Sequence, residues 1–129
     1  MSSGIGKTQN AALRIVLELM NDEGSQASQT LDECFTLSGY TVTRRQVVSL
    51  APAAIDEAVT FTDAIALILV TKDYDFDLRM AAGETLLENL RFFTLWAYDT
   101  DEGVHQTSVL LTGNTTNTAL VEVWTIEKP

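Results

Sequence analysis

Residues 64–80, AIALILVTKDYDFDLRM, decide the fold. Residues 64–70 are apolar without a break. From Asp73 onward the pattern alternates: Tyr74, Phe76, Leu78 and Met80 fall on one side of an extended chain, and Asp73, Asp75, Asp77 and Arg79 on the other. Side chains of a strand point to opposite faces with a period of two. The first half therefore predicts a strand buried on both faces. The second half predicts a strand with one face in the core and one in water.

Upstream, AALRIVLELM (residues 11–20) fits two periods. Leu13, Ile15, Leu17 and Leu19 alternate as in a strand. Leu13, Val16, Leu17 and Met20 also mark a helix face, and Ala, Leu, Arg and Glu are good helix formers. The β-like pattern of everything downstream favours the strand. NDEGSQAS (21–28) reads as a loop. TLDECFTL (30–37) sets Leu31, Phe35 and Leu37 in one register, interrupted by Glu33, with Cys34 as a small core residue. TVTRRQVVSL (41–50) is β-branched; Pro52 ends it, and Arg44-Arg45 marks a turn or a sheet edge. Residues 58–62 make a short strand.

Downstream, Ala81-Ala82-Gly83-Glu84 is a turn, residues 85–87 a short strand and Glu88-Asn89 a second turn. LRFFTLWAY (90–98) reads as a core strand, and DTDEG (99–103) as an acidic hairpin connection. TSVLLT (107–112) is a strand, and GNTTN (113–117) a turn with residues suited to positive φ. In ALVEVWTI (119–126), Leu120, Trp124 and Ile126 share one face and Ala119, Val121 and Val123 the other; both faces read as buried. About eight to ten short strands with regular turn signals predict an all-β, antiparallel β-sandwich, jelly-roll-like. Residues 1–10 are the expected N-terminal arm, and residues 11–129 a single β-sandwich domain.

The 129 residues suit one domain, and 46% hydrophobic content suffices for a core. The longest apolar run falls far short of the roughly 20 residues that span a bilayer. MSSGIGKTQN lacks the apolar region of a signal peptide, so a soluble protein made in a cytoplasm is expected. The net charge of -10 repels phosphate backbones and anionic lipid, which argues against nucleic-acid or membrane partners.

Chemical motifs are sparse. Gly6-Lys7-Thr8 resembles the end of a phosphate-binding loop, but the glycine required five positions earlier is Met1. Asp73, Asp75, Asp77 and Glu84 have the offsets of calcium ligands in an EF-hand loop, yet the obligatory glycine is Leu78 and the strand pattern runs through the segment. A solvated strand face is the expectation there, and a solvated turn for Asp99, Asp101 and Glu102. His105 is the only histidine and Cys34 the only cysteine, with no nucleophile signature around either. Asn114-Thr115-Thr116 is a formal glycosylation acceptor, read as a polar turn. Phe92, Phe93, Trp96, Tyr98 and Trp124 read as core residues, with a carbohydrate-binding face as the alternative. No enzyme, metal or cofactor is expected.

From Ala64 the succession AIALILV, DYDFDLRM, AAGETLL, LRFFTLWA and TSVLLTGNTTNTALVEVWTIEK, with TLSGYTVTRRQVVSLAP before it, resembles small β-sandwich virion proteins of tailed bacteriophages. These decorate or cement capsids or serve as head and tail accessories. The resemblance implies a structural protein on the capsid surface, bound to the major capsid protein and to copies of itself as a homotrimer. A phage tail or neck component is the neighbouring alternative, and a carbohydrate-binding β-sandwich module the alternative of another class. The arm over residues 1–10 is the candidate for reaching a neighbour. The candidate interface residues are Ile5, Lys7, Tyr40, Arg44, Arg45 and Pro52.

Overall fold

The computed structural model describes residues 9–37, 42–52, 56–97 and 102–128. Their regular structure is all strand: β1 (Gln9–Asn21), β2 (Gly24–Leu37), β3 (Val42–Leu50), β4 (Glu57–Thr60), β5 (Ala64–Thr71), β6 (Phe76–Arg79), β7 (Leu87–Leu90), β8 (Phe92–Trp96), β9 (Ser108–Gly113) and β10 (Ala119–Glu127). Three antiparallel sheets result, in the orders β1-β2, β3-β10-β5-β8 and β4-β9-β6-β7. By contacts the chain divides into two compact units, Met1–Tyr40 and Thr41–Pro129. The boundary expected at residue 10 falls within β1.

The first unit is a long β-hairpin. The ambiguity over residues 11–20 resolves as strand, paired with β2 from Gln9↔Leu37 to Asn21↔Gly24. The turn is only Asp22-Glu23, closed by Asn21 Oδ1 accepting the Glu23 N–H at 2.8 Å, with Gly24 at φ 112°. Residues 24–28, expected in a loop, are therefore strand; the ladder with β1 overrides their polar composition. Leu13, Ile15, Leu17, Leu19 and Leu31 share one face of the ribbon. The other carries Arg14 opposite Asp32, bonded at 2.7 Å, and Val16 opposite Thr30. Cys34, expected in a core, is exposed, opposite Ala12 in a two-stranded ribbon.

The second unit pairs its eight strands as nested antiparallel couples: β6 with β7, β5 with β8, β4 with β9 and β3 with β10. The β10–β5 and β9–β6 ladders then join the couples into two four-stranded sheets. Leu67 and Leu69 of β5, Val121 and Val123 of β10, Phe76 and Leu78 of β6, and Val109 and Leu111 of β9 belong to one buried cluster. The two sheets thus share a core in a sandwich-like arrangement. The decisive stretch crosses from one sheet to the other. β5 is buried along almost its whole length, whereas β6 alternates between buried Phe76 and Leu78 and half-buried Asp77 and Arg79. Between them the chain bends, with the Thr71 hydroxyl donating to the Tyr74 carbonyl. Tyr74, expected in the core row, precedes β6 and stays exposed.

The turn at residues 81–84 forms as expected, with the Glu84 N–H donating to the Ala81 carbonyl at 3.1 Å and Gly83 at φ 83°. β7, however, runs through the turn expected at Glu88-Asn89. Asn89 keeps a turn-like φ of 61°, its N–H donates to Asp77 Oδ1 at 3.0 Å, and the β6–β7 register slips beside it. The segment after β8 is not a hairpin connection, because β8 and β9 lie in different sheets. The turn after β9 forms without positive φ among its described residues; Asn114 Oδ1 accepts the N–H groups of Thr116 and Asn117 instead. Gly113 is needed there for close approach, since a Cβ would lie 2.6 Å from the Ala51 carbonyl oxygen.

Candidate functional site

β10 builds the most distinctive surface of the second unit. Ala119, Val121, Val123, Thr125 and Glu127 turn inward and are buried. Leu120 and Trp124, expected to be buried as well, are 54% and 40% exposed. The sheet packs its core on one face, and alternation sends Leu120, Glu122 and Trp124 to the other. Of the outward residues expected to be buried, Ile126 is.

Register assembles the rest of that outer face. Val47 and Val70 flank Glu122, Arg45 and Ile68 flank Trp124, and Phe92 lies beyond Val70. Val47 and Phe92 are themselves about half exposed, 55% and 44%. One polar knot interrupts the apolar field. Glu122 Oε1 accepts Arg45 Nε at 2.9 Å and Trp124 Nε1 at 2.6 Å, and the Arg45 guanidinium stands 5.4 Å from the Trp124 ring centroid. Cation–π attraction and the shared carboxylate fix both side chains on the surface. The Arg45 bond, then the Trp124 bond, holds the Glu122 carboxyl below its usual range against partial desolvation, and the same pairing raises Arg45.

Arg44 turns the opposite way. It makes a two-pronged contact with Glu127, Nε to Oε2 at 2.6 Å and Nη2 to Oε1 at 2.7 Å, and the Thr62 N–H donates to the same carboxylate at 2.7 Å. Burial alone raises the pKa of Glu127, but the bonds from Arg44 and Thr62 outweigh it, so the carboxyl sits below its ordinary 4.5. Arg44 thus clasps β3, an edge strand of its sheet, to β10. Of the residues expected at an interface, Arg45 lies on the outer face, Arg44 serves the fold, and Pro52 is exposed in the bend after β3. Ile5, Lys7 and Tyr40 lie outside the described residues, as do Tyr98, Asp99 and Asp101.

Other chemistry is dispersed. Asp75, Asp77, Tyr74 and Glu88 line a polar cleft with Asn89 and Asn114. Among the described residues no three His, Cys, Asp or Glu side chains converge as a metal-binding set. His105 sits on an exposed loop at φ 57°, its ring nitrogens 3.6 Å from Asp63 and 3.6 Å from Glu102.

The chain matches no family model, no curated protein and no solved structure. Val47, Leu120 and Glu122 were not among the residues expected to act, and Phe92 was expected to act only as part of the alternative carbohydrate-binding face. The signal was Glu122: a carboxylate in register with Leu120 and Trp124 marks a row that meets water.

Proposed function

We propose that this protein is a structural virion protein, a decoration or cement protein that binds an assembled phage shell across subunit junctions and stabilises it. Its partners are the major capsid protein and copies of itself, and it works without catalysis, at the capsid surface. In this reading the eight-stranded unit is a jelly roll. Lettered B to I in chain order, its sheets run B-I-D-G and C-H-E-F, the order made by rolling up one long nested hairpin, and viral capsid domains are among the folds built this way. The observation that carries the proposal is the outer face of the β3-β10-β5-β8 sheet, where Val47, Leu120, Trp124 and Phe92 stand exposed together. Surface of this kind gains free energy when covered. A partner present only in the assembled shell would be stabilised by that gain, and many copies would multiply modest contacts.

The test compares shells with and without the protein under heating or osmotic shock. Shells carrying it should rupture at higher temperature. Val47→Asp with Leu120→Asp should lower occupancy while the free protein keeps its circular dichroism spectrum. Equal rupture temperatures with and without bound protein would reject the proposal. A second reading, a carbohydrate-binding module, draws support from Trp124 and Phe92 on one open face. It requires glycan binding that Trp124→Ala abolishes.

A further inference from the structure

We propose that β1 pairs edge to edge with β1 of a second copy, antiparallel about a two-fold axis at Val16, joining two hairpins into a four-stranded sheet. β1 bonds to β2 along one edge, and its two-stranded sheet gives the other edge no strand among the described residues. That edge is thirteen residues long and mostly Ala, Leu, Ile and Val. A long apolar edge is a template for another strand, and a two-stranded ribbon alone is marginally stable. Val16, Leu17, Leu19, Met20 and Leu31 are 46–67% exposed on the hairpin.

The sequence of β1 identifies the occupant because it is complementary to itself. With Val16 opposite Val16 of the other copy, Ile15 meets Leu17, Leu13 meets Leu19 and Ala12 meets Met20. Arg14 of each copy meets Glu18 of the other, so each axis carries two opposite-charge pairs. Sliding the strands by two residues in either direction sets Arg14 against Val16 or Met20 and leaves Glu18 against Ala12 or Val16. Sliding by one residue puts the Leu13, Ile15, Leu17 and Leu19 row of one copy beside the row of the other that carries Arg14 and Glu18. One register therefore satisfies both charge and face. Glu18 has no ion-pair partner in its own chain among the described residues. Arg14, bonded to Asp32 through Nε, retains further N–H donors for it. The isologous contact follows the commonest oligomer symmetry, and it stands apart from what the assembled protein binds.

Sedimentation of the full chain tests the pairing. The wild type should run at twice the 14.2 kDa chain mass at high concentration. Arg14→Glu and Glu18→Arg should each weaken the dimer on the order of tenfold or more, since each sets like charges opposite one another. Mixing the two variants should restore it, because unlike charges then meet at both positions. Recovery on mixing also shows that neither variant has simply misfolded. In a Cys34→Ser background, Val16→Cys should oxidise to a covalent dimer, the two β carbons being opposed across the axis. A wild type that stays monomeric, a dimer or trimer indifferent to both charge changes, or variants that fail to recover on mixing would overturn the proposal.

Discussion

The hairpin of β1 and β2 and the eight-stranded unit are written in similar sequence and reach opposite states. AALRIVLELM and AIALILVT are both rich in Leu, Ile, Val and Ala. Yet Leu17 and Leu19 on the hairpin are 60% and 57% exposed, while Leu67 and Leu69 on β5 are at 0%. What separates them is the number of neighbours. β5 lies between β10 and β8, with a second sheet across the core. Among the described residues, β1 has one neighbouring strand. An apolar strand is a demand for cover, and within its own unit only the eight-stranded part meets that demand.

The sharpest way to break the contrast is from the buried side. Phe76→Ala removes the largest fully buried side chain of the core and should cost about 3–5 kcal/mol in denaturant unfolding. Glu127→Gln should cost about 2 kcal/mol, because a buried carboxylate then loses its charge-assisted bonds. It should also change the acid response. Glu127 is held below 4.5 in the folded protein, so its contribution is complete above pH 4.5 and drains away as the pH falls through the lower folded value. Unfolding of the Gln variant should have a shallower pH slope in that acid window. Gly113→Ala should cost about 1–3 kcal/mol, since the new methyl meets the Ala51 carbonyl.

On the exposed side the effects should be small. Leu120→Ser should shift unfolding by no more than about 0.5 kcal/mol, and so should Leu17→Ser for the transition of the eight-stranded unit. A loss as large as that of Phe76→Ala at Leu120 would mean that the outer face is covered within the chain.

The period change inside residues 64–80 was legible as two strands, one sunk on both faces and one on a single face, and so was the all-β class. That these strands lie in different sheets was not. Periodicity reports how a residue is buried, not which sheet buries it, and the nested couples join residues as far apart as Thr43 and Ile126. Polar strand residues were also misread: 24–28 are strand because β1 holds them, a long-range fact. At the candidate surface, Arg45 was visible as an edge charge. Its partner Trp124 was taken for core because an aromatic at strand spacing usually is, although Glu122 in the same register already marked that row as the one facing outward. Arg44, adjacent in sequence, looked equivalent and is not, since alternation sends it to Glu127.

The most direct measurement is amide hydrogen exchange of the full protein at two concentrations, one below and one above the dimer transition. Amides of β5 and β10 should be protected equally at both, and those of β1 should gain protection only at the higher one. Equal protection of β1 at both concentrations would contradict the claim that a second copy completes the hairpin.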